Sequence, residues 1–155
     1  MPKKMEELIA YCGLYCGDCF GYRQKAADLA RDLRKELRQC HFDKLAEAMS
    51  EIPMFKQLEY YPQAYEMLGI LVKLRCHKGC RSGGGPPFCN IRKCCINKEI
   101  TGCWECSDFT TCQKLNFLKA GHGDAHIKNL RKLKKSGLKE FVKGKKYWYT
   151  KPTTK

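Results

Sequence analysis

Eight of the chain's twelve cysteines fall between Cys76 and Cys112, and this crowding limits what the middle of the molecule can fold into. The same stretch holds Gly83-Gly84-Gly85 and Pro86-Pro87. Its large apolar residues are only Phe88, Ile91, Ile96, Ile100, Trp104 and Phe109. Fixing one residue's backbone costs ~1–2 kcal/mol, whereas burying a large apolar side chain returns ~1.5–3 kcal/mol. Six such side chains do not offset the ordering of this segment, so cross-links must hold it.

The cross-links are expected to be metal ions. The basic start, Met1-Pro2-Lys3-Lys4, runs into Glu6-Glu7 with no signal-peptide apolar stretch. No apolar run reaches the ~18 residues of a membrane span, so the reading is cytoplasmic with no membrane partner. A reducing compartment disfavours six disulfides and favours ligation. The spacings are Cys12-x3-Cys16-x2-Cys19, Cys76-x3-Cys80, Cys89-x4-Cys94-Cys95 and Cys103-x2-Cys106-x5-Cys112, with Cys40 alone. Short turns of this kind aim two thiolates at one zinc ion about 2.3 Å from each sulfur. Two or three zinc ions are expected, and spacing leaves open which cysteines share one. Adjacent Cys94 and Cys95 do not easily face one ion, and Cys40 is read as a small buried hydrophobe on a helix.

An iron–sulfur cluster in a redox or electron-transfer protein is the alternative. Cys12 to Cys19 share the spacing of the radical S-adenosylmethionine motif, although Asp18 stands where an aromatic is usual. The ferredoxin run is absent. Cys103-x2-Cys106 with His122-x3-His126 resembles a two-Cys, two-His finger, but Cys112 is the nearer and chemically matched ligand. The His122 and His126 side chains are read as belonging to a glycine loop and a first helical turn. An unrecognised metal-dependent enzyme is the third alternative, with no catalytic residues assigned. No His-Glu-x-x-His or deaminase signature occurs, and Ser82-Gly-Gly-Gly-Pro86 lacks a phosphate-loop ending.

Around this centre the periodicity is helical, giving a mainly α, single-domain reading over 1–155 with little β and an irregular, metal-stapled middle. Segment 5–75 carries the first cysteine motif and then helices. Ala26, Leu29, Ala30, Leu33, Leu37 and Cys40 form one apolar stripe, and Asp28–Arg31 is an opposite pair three apart. A second helix covers Phe42–Met49, and Pro62 begins a third bearing Ala64, Tyr65, Leu68, Leu71 and Val72. Segment 76–112 is the metal-binding stretch. Segment 113–143 supplies a short helix over Gln113–Lys119 and a longer one capped by Asp124, with Gly137 at its end and one further turn over Leu138–Val142. Segment 144–155 is a basic, aromatic tail.

The motif set Tyr11-Cys-Gly-Leu-Tyr-Cys-Gly-Asp-Cys19, Cys76-His-Lys-Gly-Cys80, Phe88-Cys-Asn-Ile-Arg-Lys-Cys-Cys95, Gly102-Cys-Trp-Glu-Cys-Ser-Asp-Phe109 and Cys112-Gln-Lys-Leu115 resembles a prokaryotic cysteine-rich family, domain of unknown function 3795. The likeness runs from about Ala10 to Val142, with Asn129–Leu133 and Gly137-Leu138 resembling its closing helix. That family is described as zinc-binding and has no established reaction. The resemblance implies metal ligands at Cys12, Cys16, Cys19, Cys76, Cys80, Cys89, Cys94, Cys95, Cys103, Cys106 and Cys112.

Charge points to the partner. The net charge is +14, and from His126 onward eleven Lys or Arg face one acid, Glu140. A basic stripe beside Tyr147-Trp148-Tyr149 is suited to track phosphates and stack bases. RNA or single-stranded DNA is therefore the leading partner, with Lys128, Arg131, Lys132, Lys135, Lys145, Lys146 and Trp148 as contacts; a protein partner is the other. Arg75, Lys78, Arg81, Arg92 and Lys93, close to cysteines in sequence, are expected to offset anionic metal–thiolate centres instead.

Overall fold

The computed structural model describes residues 4–151, so the last four residues of the basic tail lie outside it. Seven α-helices run in chain order among the described residues. They are α1 (Phe20–Arg23), α2 (Lys25–Gln39), α3 (Phe42–Ser50), α4 (Tyr61–Lys73), α5 (Asn90–Asn97), α6 (Leu118–His122) and α7 (Ala125–Lys143). Extended pairing among these residues amounts to two isolated bridges, Ile9 with Tyr15 and Gly123 with Thr150. The chain is mainly helical with an irregular cysteine-rich middle, as its composition implied. No helix among the described residues is long and apolar enough to cross a membrane. Residues divide into two compact units, Met1–Tyr22 with His77–Lys155, and Arg23–Cys76.

The Arg23–Cys76 unit is a helical assembly of α2, α3, the 3-10 segment Pro53–Tyr60 and α4. Pro62 sits in the first turn of α4, where its missing N–H goes unmissed. The buried side of α2 is rotated from the stripe read in the sequence. Ala27 and Ala30 are buried, whereas Leu29 and Leu33 are 59% and 47% exposed. The reason is an Arg–Gly interlock. The Arg34 guanidinium stacks over Tyr65 of α4, 4.4 Å from the ring centre, in space that a side chain at Gly69 would occupy. Cys40 is corrected too. It stands just past the end of α2, exposed, with its thiol donating to the Leu37 carbonyl at 3.6 Å. Arg75 binds the Asp28 carboxylate at 2.5 Å, so its charge is spent on an acid.

In the other unit the core is built by Ile9, Leu14, Tyr15, Ile91, Cys95, Trp104, Phe109, Leu115, Leu118, Leu130, Leu133 and Phe141. Of the six large apolar residues in the cysteine-rich stretch, Ile91, Trp104 and Phe109 are buried, while Phe88 and Ile96 are exposed. Burial therefore supports that stretch even less than its composition allows. The opening motif turns back on itself, with the Ala10 N–H donating to Leu14 (2.8 Å) and the Gly13 N–H to Ala10 (2.9 Å). Gly13 has φ +82°, and a Cβ there would stand 2.9 Å from Leu130 of α7, so glycine is what lets this turn pack on the helix.

Helical backbone breaks at Gly137 (φ 74°, ψ 175°), where the first stretch was expected to end, and the further turn expected over Leu138–Val142 follows as the last part of α7. Asp124 occupies the cap position without making a side-chain cap hydrogen bond. The expected helix over Gln113–Lys119 is split into a 3-10 turn, Gln113–Leu115, and α6, which runs through Gly121. The tail then returns to α7. The buried Asn129 amide donates to the Tyr147 carbonyl (2.8 Å) and accepts from its N–H (3.0 Å). His122 Nδ1–H donates to the Trp148 carbonyl at 2.8 Å.

Candidate metal centre

Four of the cysteines open tight turns. The carbonyls of Cys16, Cys80, Cys103 and Cys112 accept the N–H three residues on, from Cys19, Gly83, Cys106 and Leu115, at 3.0–3.3 Å. All twelve cysteines are free thiols.

Two thiol neighbourhoods result. In the first, the Cys12 thiol is pushed up to about 12, chiefly by burial, and the charges of Cys80, Cys89 and Cys16 add to the rise. The Cys80 N–H donates to the Cys16 sulfur at 3.5 Å. Burial raises the Cys80 thiol as well, against the pull of Arg92 and Arg81. In the second, Cys94, Cys95, Cys103, Cys106 and Cys112 line one cavity of ≈240 Å³ with Lys98 and Lys114. Cys95 and Cys103 sulfurs stand 3.6 Å apart. This hydrogen bond holds Cys95 down and Cys103 up. Lys98 Nζ donates to the Cys106 sulfur at 3.8 Å.

The loops are clamped by arginines that sequence reasoning treated only as counter-charge. Arg81 donates to the carbonyls of Ile9 and Thr101, both at 2.8 Å, while its guanidinium lies over the Tyr11 and Trp104 rings. Arg92 donates to Cys80 (3.2 Å), Gly84 (2.8 Å), Pro86 (3.1 Å) and Pro87 (3.4 Å). Nothing in an isolated Arg codon position announces such a role; only the density of glycine and proline carbonyls nearby hints at it.

Donor chemistry and the Cys95–Cys103 spacing suit a thiophilic ion, since two thiolates at 2.3 Å on a tetrahedral centre lie about 3.8 Å apart. Among the described residues, however, no group of three or more His, Cys, Asp or Glu has the geometry to hold a metal ion. The pairs are in place; closed four-ligand sets are not. Cys19 closes its turn by donating its N–H to the Cys16 carbonyl. Cys76 belongs to the helical unit, where its carbonyl accepts from Gln24 Nε2 at 3.2 Å. His126 is fully buried in α7 with neither ring nitrogen hydrogen-bonded.

The family model for Protein of unknown function (DUF3795) matches residues 8–117. The chain belongs to the DUF3795 family. All twelve cysteines lie inside the matched span, whereas α7 and the tail fall beyond it, short of the Val142 limit expected from the closing-helix likeness. No curated protein and no solved structure matches this DUF3795 chain.

The basic residues read as phosphate contacts divide into two sets. Lys128, Lys132 and Lys145 place their ammonium groups 6.0, 5.7 and 5.3 Å from the centre of the Tyr147 ring. Lys132 also donates to the Lys145 carbonyl (2.5 Å), and Lys146 to the Val142 carbonyl (2.8 Å) while lying over Tyr15. Arg131 and Lys135 are exposed on α7. Trp148 is half-buried and meets the His122 ring edge-on at 4.7 Å, so its ring anchors the tail.

Proposed function

We propose that this protein is a zinc-binding module whose thiolate-held ions fix the cysteine-rich unit and whose basic C-terminal helix binds nucleic acid. The observation that carries the reading is the first thiol neighbourhood: Cys12 and Cys16 of the opening motif meet Cys80 and Cys89, far along the chain, around a buried sulfur. Burying Cys12 and Cys80 without an ion raises both thiols and leaves little else to gain. A bound zinc supplies the charge that keeps them deprotonated and the bonds that link the turns. Cys12, Cys16, Cys80 and Cys89 would hold one ion, and four of the five thiols lining the cavity another. Arg81 and Arg92 position the turns, and Lys98 and Arg81 lower the anionic charge of the second set.

Metal content per chain after anaerobic purification tests this. Two zinc ions in a colourless protein are expected, falling to one in the Cys16→Ser/Cys80→Ser variant. A metal-free chain overturns the reading, as does a brown, iron-containing one.

The nucleic-acid part is supported by three ammonium groups around Tyr147, with Glu140 the sole acid of α7 and paired to Lys143 at 3.0 Å. Phosphates relieve that unbalanced charge and release counterions. Arg131→Ala/Lys135→Ala is expected to weaken single-strand binding and to reduce the slope of log K against log salt by about 1–1.5. An unchanged slope refutes the α7 contact.

A further inference from the structure

Two shallow cavities of ≈340 and ≈360 Å³ lie beside α5 and share Asn90 and Lys114, so they form one groove. Each is in the ~300–1,000 Å³ range of small-molecule sites. Lys93 and Lys98 line one end, and Phe88 and Phe117 the other. Among the described residues no Asp or Glu lines either cavity. The two rings are 81% and 57% exposed. Burying a phenylalanine is worth ~1.5–3 kcal/mol, so two neighbouring rings left in water call for a reason. Nor does Phe88 sit on a slack loop, because Arg92 binds the carbonyls of Gly84, Pro86 and Pro87 just before it. The ring is held out from the surface.

We propose that this groove is a binding site for a single-stranded oligonucleotide. Phe88 and Phe117 stack unpaired bases, Lys93 and Lys114 take the phosphates between them, and the Asn90 amide meets a base edge, while Lys98 stays with the Cys106 sulfur. Exposed rings interleaved with lysines are what sequence-tolerant single-strand binding needs. A duplex offers no free base face to them. The inference rests on the nucleic-acid reading above and deepens it, since it locates base contacts on a surface that α7 does not provide.

Anisotropy of a fluorescein-labelled, mixed-sequence 12-nucleotide RNA with the full-length zinc-loaded chain tests both. Phe88→Ala/Phe117→Ala is expected to bind about ten-fold or more weakly with its salt slope unchanged, and Phe88→Tyr to keep the native affinity. Because both rings are exposed, zinc content and circular dichroism serve to verify that these variants fold. Native affinity in Phe88→Ala/Phe117→Ala, with weakened binding in Arg131→Ala/Lys135→Ala, overturns the groove and spares the α7 reading. No binding by the wild type overturns both. Equal competition by the annealed duplex, or by polyglutamate, overturns the groove in favour of an unspecific basic surface or an acidic protein partner.

Discussion

His126 is a base whose burial resists its protonation. Burial lowers its pKa to about 4, with Asp124 pulling the other way and His122 and Lys119 adding to the fall. In the unfolded chain an imidazole titrates near 6.5. Because the folded value is the lower one, the stabilising effect is complete above about pH 6.5. It is lost progressively as pH drops toward 4, by something of order 2 kcal/mol. Denaturant titrations at pH 7 and pH 5 are expected to show a smaller stability difference for His126→Phe than for the wild type. Equal differences would remove His126 from the acid response. Gly13 makes a second residue-scale prediction. An alanine there adds left-handed backbone strain and overlap with Leu130, together about 2–4 kcal/mol, read as a lower Tm, while Gly121→Ala, in α6 with open space around it and no positive φ, leaves Tm nearly unchanged.

At the scale of elements, one buried side chain, Asn129, makes two of the hydrogen bonds that hold the tail to α7. Asn129→Ala leaves the Tyr147 N–H and carbonyl without their buried partner, at a cost of about 1–3 kcal/mol. Trypsin is then expected to cut at Lys145 and Lys146 well before the rest of the fold opens, and an unchanged cleavage rate would contradict the tether. The Asn129 contact itself was invisible in the sequence, where Tyr147 and Trp148 read as base-stacking aromatics beside a basic stripe. Helical elements were legible because α3, α4 and α7 keep a 3.6 period, yet the phase of α2 was not. Leu29 and Leu33 dominate any count of apolar residues. The packing is set by Arg34 filling the space above Gly69, which hydropathy does not encode. Likewise, cysteine spacing delimits each turn but says nothing about which turns meet. That Cys12 interacts with Cys80 and Cys89 depends on the backbone path between them, including the Cys103 N–H that donates to the Tyr11 carbonyl at 2.9 Å.

Over the whole molecule, the two units differ in what holds them. The Arg23–Cys76 unit is helix packed on helix and contains only Cys40 and Cys76. The other carries the remaining thiols among glycine- and proline-rich turns. A high-affinity chelator is therefore expected to unfold one and spare the other, seen as partial loss of helical circular dichroism and a residual transition on heating. Single-step loss of all helical signal would argue against independent support. The helical unit also begins and ends at one place, where Gln24 of its first residues binds the Cys76 carbonyl. A polypeptide that departs and comes back through the same doorway can be shortened, lengthened or exchanged there with little disturbance to its host. The stretch from Arg23 to Cys76 is thus where we expect members of this family to differ most in length.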